Sequence, residues 1–168
     1  VCSSDLVVNS IYFDTEHYKM YHESEEGVVP RKKVRIRWYN DDLNKQTLEN
    51  KISSYEGRYK YSKNIMNSKD NENINFLLDK SYGKIMRTLK IQYSREYFNF
   101  KNMRITFDTN IIYKNLRKSV QNYKKDFLCV VEIKTPVNID DDYINKHINL
   151  SWSRFSKNAR DVLIFNRN

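Results

Sequence analysis

The sequence predicts an α+β domain, mainly antiparallel β, whose strands close or nearly close into a barrel with a few helices packed outside. Three observations carry this. Most segments alternate apolar and charged residues with the period of two that belongs to strands. With 13 Tyr, 8 Phe and 2 Trp, core volume must come largely from aromatic and β-branched side chains. A chain of 168 residues suffices for one domain with a sizeable core, but not comfortably for two. Only 3 Gly and 2 Pro are present, which excludes collagen-like and low-complexity chains.

In chain order, VVNSIYFD (7–14) opens as a strand rich in β-branched and aromatic residues. EEGVVPRK (25–32) supplies a Gly/Pro turn before the strand KVRIRWY (33–39). TLENKIS (47–53) alternates, and YEGRYKYSK (55–63) is a Gly turn leading into a short alternating run. Residues 66–83 are polar with Ile74, Phe76, Leu77 and Leu78 and read as a helix. TLKIQYSREYF (88–98) and MRITFDT (103–109) read as a hairpin joined by the NFKN turn. FLCVVEIKT (127–135) is the most apolar strand and is expected to be the most buried, with Cys129 in the core; Pro136 ends it. Residues 139–150 start with the acidic run IDDDY, which suits a helix N-terminus, so Asp140–Asp142 read as a helix-start cluster rather than a metal site.

The net charge of +9 favours an anionic partner: nucleic acid, an acidic membrane surface, or a phosphate-rich molecule or polymer. Two cysteines, Cys2 and Cys129, give no disulfide framework and no metal-type spacing, and point mildly to a reducing compartment. The sequence holds no apolar run long enough to span a membrane and no signal-peptide pattern. The opening residues VCSSDL match nothing downstream and resemble a translated sequencing adapter. Residues 1–6 are therefore expected to be a non-native extension, and residues 7–168 a single domain. His17, His22 and His147 have no regularly spaced second ligand and read as surface residues, while Asp14 and Asp108, each after an aromatic residue at a strand end, read as turn or cap residues.

The informative feature is what stands opposite the apolar residues. In RKKVRIRWYN, Arg31, Lys33, Arg35 and Arg37 share one face of a strand, with Val34 and Ile36 on the other. Glu49 and Lys51 share a face in LENKI, Glu132 and Lys134 in VVEIK, and Arg104, Thr106 and Asp108 in RITFD. A one-sided sheet with its charged face in solvent explains any one of these. Two unit charges roughly 7 Å apart at an effective dielectric near 20 repel by about 2.4 kcal/mol, however, and a free surface rarely needs repeated cations at that spacing. Arginine forks match phosphate oxygens bidentately. If the strands close, the charged faces become an interior suited to a polyphosphate anion and a metal ion.

NSIYFDT (9–15), the run from Gly27 to Arg37, LENK (48–51), YSREYF (93–98), MRITFDT (103–109), VVEIK (130–134) and FSK (155–157) occur in the order of the VTC domain. The chain resembles that family, the polyphosphate polymerase module of the vacuolar transporter chaperone complex, within the triphosphate tunnel metalloenzymes. The resemblance implies an antiparallel tunnel whose basic interior holds the triphosphate of ATP and a growing polyphosphate chain. It assigns the R-x-R pair to Arg35 and Arg37, a lysine to Lys51, an arginine to Arg104, a metal-ligating glutamate to Glu132 and a Ser-Lys pair to Ser156 and Lys157. Lys63 and Arg95 fall near further phosphate-binding positions. Family members begin with another strand before Y-F-D-T, so the tunnel domain is expected to be N-terminally truncated, short of one wall, and impaired in catalysis.

On this reading Arg35, Arg37 and Arg104 clamp non-bridging oxygens, while Lys51 and Lys157 add point charges. Arg31 and Lys33 steer polyanions at the tunnel mouth, and Lys63, Arg95, Lys134 and Ser156 bind substrate. Glu132 with Glu49 holds Mn²⁺ or Mg²⁺. The expected partners are ATP and inorganic polyphosphate, with no specific nucleic acid. A membrane-protein partner, or a further segment, would hold the domain at the cytoplasmic face of a membrane. Glu132–Lys134 also reads as an ion pair that binds nothing. Rival readings are a metal-dependent triphosphate hydrolase and a non-catalytic module for polyphosphate or RNA, in which Tyr and Phe would stack bases.

Overall fold

The computed structural model describes residues 6–65, 74–117, 123–148, 151, 153, 155–157 and 160. The elements are β1 (Leu6–Asp14), α1 (Lys19–Glu26), β2 (Arg31–Tyr39), β3 (Gln46–Ser53), β4 (Arg58–Ile65), β5 (Phe76–Asp79), β6 (Gly83–Phe100), β7 (Met103–Asn115), β8 (Tyr123–Lys125), β9 (Val130–Lys134) and α2 (Asp141–His147). The strands form one antiparallel sheet in the order β4-β3-β2-β1-β6-β7-β8, with β5 paired to β6 and β9 paired to β7. The fold is therefore α+β and mainly antiparallel. Among the described residues the sheet does not close by strand pairing: no strand pairs the outer edge of β4.

The 18-residue β6 and the 13-residue β7 are long enough to take different partners along their lengths, β5 and β1 on the former, β8 and β9 on the latter. Register shifts at Tyr12/Phe13 and at Gln92/Ser94 mark bulges, which bend strands and raise their twist. β1 is central and buried from Val8 to Asp14 on both faces. One apolar cluster holds Val8, Tyr12, Leu89, Ile91, Tyr93, Ile111 and Tyr113. The other holds Ile11, Phe13, Val34, Ile36, Trp38 and Ile85 and is covered by Met20 of α1.

Helix α1 has no counterpart in the expected elements, although its stop signals are in the chain. Gly27, at φ 77°, closes it with its N–H on the Glu23 carbonyl. At its start the Asp14 carboxylate accepts from the backbone N–H groups of Thr15 (2.7 Å), Met20 (2.9 Å) and Tyr21 (2.9 Å). The cap role expected for Asp14 is thus present. The β6–β7 turn falls on Lys101 and Asn102, with φ 46° and 63°, the primed-turn geometry that NFKN anticipates. Asp140 caps α2 through the Tyr143 N–H at 2.8 Å, with Asp141 and Asp142 in the first turn.

Two expectations fail. The described part of residues 66–83 is no helix: Phe76–Asp79 pairs with β6, and Leu77, opposite Ile85, joins the second apolar cluster. Residues 66–73 of that expected helix lie outside the described residues. The FLCVVEIKT run is not the most buried strand. It is reduced to Val130–Lys134 on β7, with Phe127 93% exposed and Cys129 exposed rather than in the core. Apolar composition cannot tell a central strand from one with a single partner, because the number of partners is a tertiary property.

Asp14→Ala removes three acceptor contacts from a carboxylate that is 4% exposed. It should lower unfolding free energy by about 1–3 kcal/mol, read as a reduced urea midpoint at unchanged slope.

Candidate functional site

In antiparallel pairing, residues directly opposite one another place their side chains on the same face. The registers Ser10↔Arg37 and Tyr12↔Arg35 (β1–β2), Arg35↔Glu49 and Lys33↔Lys51 (β2–β3) and Lys51↔Lys60 (β3–β4) therefore gather one polar face across four strands. On the other side of β1, Arg95↔Asp108 and Thr106↔Glu132 carry it through β6, β7 and β9. The sheet curls so that both limbs line one cavity of about 610 Å³. Tyr12 and Tyr93 belong both to its lining and to the first apolar cluster, so that cluster forms its floor.

Among the described residues eight cations line the cavity, Arg35, Arg37, Lys51, Arg58, Lys60, Arg95, Lys134 and Lys157, against one lining carboxylate, Glu132. Such an excess suits a multiply charged anion. Two buried carboxylates brace the cations. Glu49 accepts Arg35 Nε at 2.6 Å and Lys60 Nζ at 2.6 Å. Asp108, fully buried, accepts Arg95 Nε at 2.6 Å and Nη2 at 2.8 Å, and also Lys157 Nζ. Arg37 differs: it donates to the hydroxyls of Ser10 (3.1 Å) and Tyr93 (3.4 Å), and among the described residues it meets no carboxylate.

Burial alone would raise the Tyr12 phenol, but Arg35, Arg37 and Lys33 together hold it below its ordinary value. Burial likewise opposes ionisation of Glu49, and Arg35 with Lys60 overcomes it, so the carboxyl lies below the usual range. Burial also opposes the charge of Arg35, yet Tyr12 and Glu49 raise its pKa. The phenol of Tyr93 is pushed up to about 12, chiefly by burial. Lys51 is depressed by burial first and by Arg58 and Arg35 next, with Glu132 and Lys134 of β9, which line the same cavity, acting on it in opposite directions.

Of the residues singled out in the sequence, Arg35, Arg37, Lys51, Arg95, Glu132, Lys134 and Lys157 line this cavity, and Glu49 stands behind Arg35. Lys33 donates to Ser156 Oγ at 3.1 Å, tying the C-terminal segment to β2 at the margin. Arg31 donates to the carbonyls of Gly27 and Val28, outside the cavity. Arg104, opposite Lys134, lies one row further out and lines a separate hollow of about 530 Å³ at the β6–β7 turn. Lys63 is opposite Leu48, which is opposite Ile36, so it stands on the other face of the sheet. Arg58, Lys60, Tyr12 and Tyr93 were missed; the alternation in GRYKY carried the signal for the first two. Asp108 was misread. β7 continues to Asn115, so this residue is in mid-strand as an ion-pair anchor and not at a turn.

The two carboxylates expected to hold a metal fit it differently. Both oxygens of Glu49 are already on cations. Glu132 is half exposed on the cavity wall, 3.2 Å from Lys134 Nζ and 4.0 Å from Arg95 Nη2. Among the described residues no three His, Cys, Asp or Glu side chains gather as a ligand group. Glu132 therefore suits a hard cation as a single carboxylate, with phosphate oxygens and water completing the shell, whereas Glu49 does not.

This is a basic cavity on a curled antiparallel sheet, and its charge and shape suit a polyanion. The chain matches the VTC domain over residues 2–165 and belongs to that family, which is associated with enzymatic polyphosphate synthesis. Among solved structures it is similar to the PH1819 protein from Pyrococcus horikoshii OT3, at 18% identity and TM-score 0.46, over 87% of this chain and 72% of that one. No curated protein matches the chain. No described helix is long and apolar enough to cross a membrane.

Lys33 also lies below its ordinary 10.5, by burial first and by Lys51 and Arg31, against Tyr12 and Glu25. The folded chain thus holds this proton more weakly than the unfolded chain. Unfolding takes up a proton between the depressed value and 10.5, so the Lys33 contribution to stability rises with pH across that window. Urea midpoints of the wild type relative to Lys33→Met should climb as pH enters the window, and a flat difference would contradict the assignment.

Proposed function

We propose that the chain is a polyphosphate polymerase module that transfers the γ-phosphate of ATP to the end of an inorganic polyphosphate chain held in the basic cavity. The observation that carries the reading is the meeting of cations from β2, β3, β4, β6, β9 and the C-terminal segment on one concave surface of about 610 Å³. Phosphoryl transfer asks a protein for alignment and charge neutralisation more than for covalent help. The acceptor is itself a phosphate, so no side-chain nucleophile is needed.

In this mechanism Arg37 and Lys51, free of carboxylate partners at salt-bridge distance among the described residues, take the non-bridging oxygens first. Arg35, held by Glu49 and by the Tyr12 hydroxyl at 2.9 Å, presents its remaining donors to the same anion. Arg95, Lys134 and Lys157 align the chain along the opposite limb. Glu132 would hold Mn²⁺ or Mg²⁺, which supplies charge neutralisation at the transferring group. Arg104 would bind phosphate units beyond Lys134, in the neighbouring hollow.

The chain incubated with ATP and Mn²⁺ should yield long phosphate polymers on a sizing gel. Free phosphate as the sole product would instead mark a triphosphate hydrolase, and binding without turnover a polyanion-binding module. Arg37→Met should lower the rate by about 10²–10³, the range for removing one preorganised donor at developing charge. Glu132→Gln should abolish the metal dependence.

A further inference from the structure

We propose that Asp108 is a positioning residue: its buried carboxylate sets Arg95 and Lys157 as one phosphate-facing clamp and docks the C-terminal segment onto the sheet. This rests on the cavity being a phosphate site, as proposed above.

An anion inside a polyanion site opposes its ligand, so a fully buried aspartate there needs a reason. Asp108 faces Arg95 across the β6–β7 pairing and has Val130 opposite on β9, so strands flank it on both sides. Both its oxygens are taken by the Arg95 fork, and Oδ2 also by Lys157. The fork leaves Arg95 with Nη1 unused by Asp108, while the rings of Tyr93 and Tyr97 lie 5.2 and 5.9 Å from the guanidinium carbon. Lys157 Nζ lies 4.7 Å from the same Tyr93 ring. Two cations from elements far apart in sequence are thus fixed against one ring by one carboxylate. Lys157 also has no strand to hold it, since it belongs to the segment that Ser156 ties to β2. Without Asp108, Arg95 and Lys157 would repel each other and separate.

Charge and position predict opposite results when Asp108 is neutralised. If it is only a counter-charge, the cavity becomes more positive and binds polyanions more tightly. If it positions the clamp, affinity falls although no cation has been removed. The measurement is binding of long-chain inorganic polyphosphate by the whole chain across a salt series. Each cation lost from contact reduces the slope of log K against log salt by roughly one. Asp108→Asn should weaken binding about tenfold or more and reduce that slope as Lys157→Met does, and the double variant should lose little beyond the worse single one. Asp108→Glu keeps the charge and shifts the carboxylate by one methylene; it should also lose affinity, and it carries the test if Asp108→Asn does not fold. Unchanged or tighter binding with an unchanged slope in the variants overturns the proposal alone. A wild-type chain with no affinity for polyphosphate overturns this inference together with the reading it rests on.

Discussion

Like charges gathered on a concave face must be offset, and most of this structure follows from how that is done. At roughly 7 Å and an effective dielectric near 20, each uncompensated pair of cations costs about 2.4 kcal/mol, a large share of a stability of only 5–15 kcal/mol. Glu49 and Asp108 provide the compensation from inside the wall. Each accepts two cations from different elements: Arg35 and Lys60 on one limb, Arg95 and Lys157 on the other. The ion pairs therefore cross-link β2, β3 and β4 through one carboxylate, and β6, β7 and the C-terminal segment through the other. Between them lies β1, which contributes no charge to this face but places Ser10 under Arg37 and Tyr12 under Arg35.

The same wall needs a curved sheet, and curvature comes from apolar packing. β1 is buried on both faces, as a central strand must be if one side floors the cavity and the other packs under α1. The bulges at Tyr12/Phe13 and Gln92/Ser94 lie on the two sides of β6, in its pairings with β1 and with β7. Tyr12 and Tyr93 join the two demands. Their rings pack with Leu89, Ile91 and Tyr113, while their hydroxyls accept from Arg35 and Arg37. Buried tyrosines with a partnered hydroxyl suit a boundary between dry core and ionic surface.

Much of this was legible from period-two alternation alone. The shared face of Arg35 and Arg37 and that of Glu132 and Lys134 follow from neighbouring residues on single strands, and the structure keeps them. What alternation cannot supply is the pairing between strands. The resemblance puts Lys63 near a phosphate-binding position, but its register with Leu48 places it on the other face. Glu49 looked like a free carboxylate until β2 and β4 were placed on either side of it. Asp108 looks like a strand end when the strand is read as MRITFDT alone, yet β7 continues through Ile111, Ile112 and Tyr113 to Asn115 and receives β8. The FLCVV run failed for a related reason: its hydrophobicity is that of a buried strand, but it has β7 on one side only among the described strands.

The cavity cations therefore divide into two kinds, and the division bears on what each does. Arg35, Lys60, Arg95 and Lys157 each hold a buried carboxylate, so part of their charge is spent before a ligand arrives. Geometry is what they gain, since a guanidinium with two donors fixed has few orientations left for the others. Arg37 is 9% exposed and among the described residues is bonded only to the neutral hydroxyls of Ser10 and Tyr93, and Lys51 is depressed by burial and then by Arg58 and Arg35. Among the described residues neither has a carboxylate at salt-bridge distance, so both stand to gain most from an incoming anion. A phosphate chain entering here would meet a braced frame on either side and uncompensated charge at its centre. That is the arrangement expected where alignment and charge neutralisation, rather than a nucleophile, carry the chemistry. It also explains why R-x-R, with one arginine braced by a carboxylate and the next held by neutral hydroxyls, is the part of the sequence in which the site shows first.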